Sequence, residues 1–173
     1  MSLLDTQNFL AKIYTDENLR REFLAAPEKI GRENDLSDGE IAELAEVFPD
    51  ELNSFADSLF WKRLREVEKL LPLTRAQMNQ EFERYFREFS RNFNSQSIKK
   101  HLDDALRFCD YLRADETISA TNKNAAKYEQ AKLEFWALNS RAVVRLLDFD
   151  ITTGERKKRL HVWLRIGEKE FVF

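Results

Sequence analysis

Residues able to do chemistry are sparse in this chain. His101, Asp104 and Cys109 fall within one stretch, KKHLDDALRFCDYLR, and His101 with Asp104 at i, i+3 would share a helical face. A closed metal site takes three or four converging ligands, and the chain has only two histidines and one cysteine. There is no HExxH and no pair of Glu-x-x-His motifs of the kind that four-helix di-iron sites use. Spacing proposes no Ser-His-Asp triad, and no glycine loop is present to cradle phosphate. His101 therefore reads as a structural or solvent-facing residue, and Cys109, on an apolar face, as a packed one. No catalytic residue, metal or cofactor is expected, which leaves binding as the class of function to weigh.

The residues best suited to binding lie near the C-terminus. Residues 141–173 hold eight Lys/Arg against five Asp/Glu, leaving twenty against twenty-six in the rest of the chain. They include the run Arg156-Lys157-Lys158-Arg159 and a strictly alternating segment, Arg159 to Ile166. Alternation puts Leu160, Val162, Leu164 and Ile166 on one face and Arg159, His161, Trp163 and Arg165 on the other. The apolar set is expected to be buried and the Arg/Trp set to face outward. A tryptophan between two arginines suits an extended acidic or aromatic peptide, since arginine pairs with carboxylates and tryptophan supplies rigid contact area. On this expectation Trp163→Ala leaves the fold intact and removes binding. Strand edges also capture peptides, β-ribbons read nucleic acid, and a charged hairpin is equally a device that keeps an edge strand soluble. The candidate partner-binding residues are Arg145, Arg156, Arg159, Trp163, Arg165 and, from a separate segment, Trp61.

Trp61 belongs to LFWKRLREVEKLLPLTR, residues 59–75. On a helix Phe55, Leu59, Leu64, Val67, Leu70 and Leu71 fall near one face, with Lys62, Arg65 and Lys69 mostly opposite. Glu66 and Glu68 interrupt the basic side, so the stretch reads as scaffold with a solvated charged face. Trp61 sits at the margin of the apolar face, where tryptophan often marks an interface.

The elements that position these residues follow from composition and punctuation. With 173 residues, the chain suits one good domain, or one with a small helical appendage. Fourteen phenylalanines imply an aromatic core, and four glycines with three prolines leave little room for long loops or a sandwich. A net charge of −3 argues against attachment to nucleic acid by global charge alone. A single cysteine allows no internal disulfide, no signal peptide is evident, and no run of eighteen apolar residues occurs; a cytoplasmic protein without membrane attachment is expected.

The first third reads as short helices: one with Phe9, Leu10, Ile13 and Tyr14, one capped by Thr15 or Asp16, one opened by Pro27, and one opened by the capping box Ser37-Asp38-Gly39-Glu40. The longest helix runs to about Leu71, where Pro72 ends it. Thr74-Arg75-Ala76-Gln77 is a second capping box before the face Met78, Phe82, Phe86, Phe89, Phe93, the clearest helical period in the chain. Ser95 or Ser97 caps the next helix, with Ile98, Leu102, Ala105, Leu106, Cys109 and Leu112. A loop over Ala114 to Ala120 precedes a last helix capped by Thr121, carrying Tyr128, Ala131, Leu133, Phe135 and Trp136. From Arg141 the pattern changes to three short strands. The expected fold is mainly α with a small C-terminal antiparallel β-meander (α+β): a helical module over 1–48, then a multi-helix body over 49–173 with the meander at 141–173.

Two resemblances become visible in these segments. Phe9-Leu10, Asp16-Glu17-Asn18-Leu19, Phe23, Pro27-Glu28, Ile30 and Leu36-Ser37-Asp38-Gly39-Glu40-Ile41 resemble the small helical subunit of the protocatechuate-type extradiol dioxygenases. That module is also used as a recognition domain on precursor peptides. Members usually have glycine before the Leu-Ser/Thr step, where this chain has Asn34-Asp35; asparagine tolerates the left-handed region that the turn needs. In the dioxygenases the iron ligands belong to the other subunit, so the resemblance implies no catalytic residue here. Lys69 to Thr74, the Phe82 to Phe93 helix, Ala105-Leu106-Arg107-Phe108 to Tyr111-Leu112 and Ala126 to Ala131 are weakly similar to a bacterial family labelled DNA-binding. Several of its members are regarded as companion subunits of iron-dependent peptide-modifying oxidases. That resemblance implies a non-catalytic protein- or peptide-interaction module, a companion or recognition subunit that holds its peptide by strand addition. The alternative is a nucleic-acid-binding regulator using the basic hairpin.

Overall fold

The computed structural model describes residues 3–46, 49–95, 97–148, 158–166 and 169–172. Among these residues the chain is mainly α-helical with one three-stranded antiparallel sheet near the C-terminus. It divides into two compact units, Met1–Arg63 and Leu64–Phe173.

The N-terminal unit contains α1 (Leu3–Thr15), α2 (Glu17–Ala25), α3 (Pro27–Glu33), α4 (Asp38–Ala45) and the first part of α5 (Pro49–Leu70). Each early boundary has a local cause. Asp16 caps α2 by accepting from the Leu19 N–H at 3.0 Å. Pro27 occupies the first turn of α3, where its missing N–H costs nothing. Ser37 and Glu40 form the reciprocal capping box of α4. Between α3 and α4 the chain turns through Asp35, at φ 61°, and the Leu36 N–H returns to the Gly31 carbonyl at 3.0 Å. Aspartate thus takes the left-handed position expected of its neighbour Asn34. Phe9, Ile13, Phe23, Ile30, Leu36, Ile41, Leu44 and Leu52 form one core, with Phe9 and Phe23 edge to face at 5.2 Å. Gly31 lets α3 approach α4 closely: a Cβ there would lie 2.5 Å from Ile41 Cγ1.

In the C-terminal unit α5 ends at Leu70 and Pro72 opens α6 (Pro72–Met78), so the corner falls at Leu71, and Pro72-Leu73-Thr74, expected to make it, forms the first turn of α6. Leu64, Val67 and Leu71 are buried. The expected single helix after Thr74 is instead two, α6 and α7 (Gln80–Asn92), divided at Asn79 with φ 52°. Thr74 lies inside α6 and caps nothing. The phenylalanine period holds: Phe82, Phe86 and Phe89 are buried, each ring 5.2–5.4 Å from Phe108 of α8 (Lys100–Ala114). Ile98, assigned to that helix by its apolarity, lies ahead of it and is fully exposed. Neither serine caps α8, whose N-cap is Lys99; Ser95 Oγ donates to Asp103 at 2.5 Å instead.

Helix α9 (Ala120–Trp136) is capped by Ser119, not Thr121. It packs against α6, α8 and the first strand, so it is buried on several sides. Ala125, Ala126 and Ala131 present no bulk at those contacts. The sheet consists of β1 (Ala142–Leu147), β2 (Arg159–Ile166) and β3 (Lys169–Val172), in the order β1-β2-β3.

Candidate interaction surface

The register of the sheet decides what its two faces carry. Val143 pairs with Trp163, Arg145 with His161 and Leu147 with Arg159 across β1 and β2; Trp163 pairs with Val172 and Arg165 with Glu170 across β2 and β3. Directly paired residues project to the same side. This side packs on α9: Val143, Leu147 and Trp163 are buried, and Val143 and Trp163 lie in a cluster with Ala131 and Phe135, flanked by Tyr128.

The expectation that Trp163 faces outward is therefore corrected, since it is fully buried. Its ring lies 5.6 Å from Tyr128 and stacks on His161 at 5.9 Å. Trp163 Nε1 and His161 Nε2 are buried with no hydrogen-bond partner among the described residues. The alternation itself is correct and only its sense is reversed. An indole ring fills the space over the small side of α9 with more apolar area than any aliphatic residue of β2 offers.

Two arginines on this face, Arg145 and Arg165, are neutralised by carboxylates. Arg145 makes an ion pair with Glu134 of α9. Arg165 donates to Glu170 at 2.6 Å and to Asn139, and its guanidinium lies 4.8 Å from the Phe135 ring centre. The arginine holds the Glu170 carboxyl below its usual range, helped by the Trp136 indole N–H. Arg159 is exposed, and Arg156 lies outside the described residues. Trp61 is partly exposed on α5, edge to face with Phe60, and belongs to the N-terminal unit while the other candidates belong to the C-terminal one.

The opposite face is the one that sequence reasoning expected to be buried. Val144 pairs with Val162, Leu146 with Leu160, and Leu164 with both Ala142 and Phe171, which gives an apolar, mostly aliphatic surface across the sheet. Val144, Leu146, Leu160 and Ile166 are between 47% and 67% exposed. Lys169, paired with Ile166, is the one charged residue of the three strands on this side. The missed signal lay in β1, whose sequence AVVRLL is apolar on both faces. The edge of β1 is also occupied: the carbonyls of Val144 and Leu146 accept from Arg145 Nη1 and Lys127 Nζ. Such cationic donors blunt an edge against further strands.

Elsewhere the chemistry is structural. Cys109 is buried, and burial pushes its thiol well above the ordinary range, away from nucleophilic reactivity. No group of three His, Cys, Asp or Glu residues able to hold a metal ion occurs among the described residues. No described helix is long and apolar enough to cross a membrane. A buried carboxylate, Glu129, accepts from Leu73 N, Thr74 N and Thr74 Oγ1 at 2.7–2.8 Å. Burial raises this carboxyl, against the lowering effect of its three donors. Its work is to close the first turn of α6 from the far side of the sequence.

No family model, curated protein or solved structure matches the chain.

Proposed function

We propose that this chain is an interaction module without chemistry of its own, which receives a protein or peptide partner on the C-terminal sheet, as a companion or recognition subunit does. The observation that supports this reading is the aliphatic outward face of Val144, Leu146, Leu160 and Ile166, since exposed apolar surface of this kind marks interaction sites in soluble proteins. Folding alone would place polar residues there, as half-solvated antiparallel sheets do. Peptide capture by strand addition, the mode that the family resemblance implies, falls to the edge at β3, because the β1 edge already carries Arg145 and Lys127.

The test is a photo-crosslinking amino acid at Leu160, compared with one at exposed Lys62, in the native host. Capture of one defined protein or peptide at Leu160, absent at Lys62, supports the reading. Equal, diffuse labelling at both positions removes it.

A nucleic-acid role draws on the basic run from Arg156 to Arg159. It loses Arg145 and Arg165 to their carboxylates, and interfaces with nucleic acid are polar and positively charged, unlike this face. Retardation of DNA or RNA at about 0.15 M salt, abolished by Arg156→Glu/Lys158→Glu, would favour it instead.

A further inference from the structure

We propose that Asn124 and Lys127 of α9 guard the outer edge of β1, a contact without which this strand pairs with β1 of a second copy. The direction of the backbone groups follows from one hydrogen bond. Across β1 and β2 the Arg165 N–H donates to the Arg141 carbonyl at 2.9 Å. In an antiparallel ladder such pairs alternate with pairs whose backbone groups point away from each other. Val143, Arg145 and Leu147 therefore turn their amides and carbonyls toward β2, while Ala142, Val144, Leu146 and then Asp148 turn theirs outward.

Three of those outward groups are already engaged. The Leu146 carbonyl accepts from Lys127 Nζ, and the Asp148 N–H donates to Asn124 Oδ1 at 3.4 Å. The Val144 carbonyl accepts from Arg145 Nη1 at 2.9 Å. Asn124 and Lys127 stand at i, i+3 and so share a face of α9. A helix laid along a strand edge, with a lysine on it, keeps foreign strands from pairing there.

Strand β1 has a sequence that needs such a guard. AVVRLL is six residues rich in valine and leucine, without proline or glycine, the pattern that pairs with its own kind. Its one charged residue, Arg145, is held by Glu134. Antiparallel self-pairing centred on Val144 brings outward backbone groups together: Val144 meets Val144, and Ala142 meets Leu146. Arg145 then faces Val143, so no like charges lie directly opposite. With the carbonyls of Val144 and Leu146 taken, that register loses its acceptors.

Sedimentation velocity of the full chain between about 1 and 100 μM tests this. Lys127→Met keeps the stem of the side chain and removes the donor. It should associate at concentrations at least about tenfold below any at which wild type does. Lys132→Met, the same loss of charge elsewhere on α9, should behave as wild type. Adding Val144→Pro to Lys127→Met should restore the monomer, because proline there removes an outward N–H and no bond to β2. If Lys127→Met lacks the far-UV CD spectrum of wild type, Lys127→Gln takes its place with the same expectations. Association that is unchanged in the Lys127 variant, equal in Lys132→Met, or insensitive to Val144→Pro overturns the proposal.

Discussion

Helix starts in the N-terminal unit and the start of α6 in the C-terminal unit are closed by opposite means. In Met1–Arg63 the caps lie next to the turns they close: Asp16 serves α2, Pro27 serves α3, and Ser37 with Glu40 serves α4. In Leu64–Phe173 the first turn of α6 has no side-chain cap of its own, and Glu129 supplies one from 55 residues away. Local capping is independent of the tertiary fold. Remote capping exists only once α9 has docked, so it makes the helix boundary part of the core.

Perturbations of the C-terminal unit should therefore cost most. Trp163→Ala is expected to lose about 3–5 kcal/mol of unfolding free energy, the range for truncating a packed aromatic, and Phe86→Ala a similar amount. Urea denaturation followed by far-UV CD measures both. A Trp163→Ala protein as stable as wild type would mean that the sheet's faces are assigned the wrong way round.

Glu129→Ala should follow, at about 3 kcal/mol, because it strands the Leu73 and Thr74 amides and the Thr74 hydroxyl without their acceptor. Amide exchange should accelerate at Leu73 and Thr74 before the rest of the unit responds. Unchanged protection at those amides would show that α6 closes its own first turn.

Ser37→Ala tests the local strategy and should cost about 1 kcal/mol. It also carries a pH signature. Hydrogen bonds from Ser37 and then Thr6 hold the Glu40 carboxyl down to about 2, below its ordinary 4.5. A depressed carboxylate stabilises the fold above its unfolded pKa, and this contribution is lost as pH falls from about 4.5 to about 2. Ser37→Ala should flatten that part of the stability profile, and an identical acid profile in the two proteins would contradict it. The smallest effect is expected from Lys62→Glu/Arg65→Glu on exposed positions of α5, within about 0.5 kcal/mol by thermal melting.

Boundaries written by neighbours were legible in the sequence. The prolines at 27 and 72, the Ser37 to Glu40 box and the Phe82–Phe86–Phe89 spacing all act within a few residues, so their signals survive in one dimension. Asn79 was not legible, because a positive φ inside a helical pattern is chosen by packing on both sides. Neither was Glu129, whose neighbours in sequence say nothing of Thr74. The burial of α9 on several sides was not legible for a related reason: a helix packed against α6, α8 and β1 loses the single apolar stripe by which amphipathic helices are recognised.

What the sequence determined by itself is that β2 has two faces, one of Leu160, Val162, Leu164 and Ile166 and the other of Arg159, His161, Trp163 and Arg165. That follows from the two-residue period of a strand and needs no partner. Which face turns inward was decided only by the tertiary structure. Phe135 and Ala131 of α9 offered a site that the Trp163 ring fills, while Glu134 and Glu170 neutralised Arg145 of β1 and Arg165 of β2, which share its face. With those charges paired, the aromatic face turns inward without leaving them uncompensated, and the aliphatic face is left toward solvent.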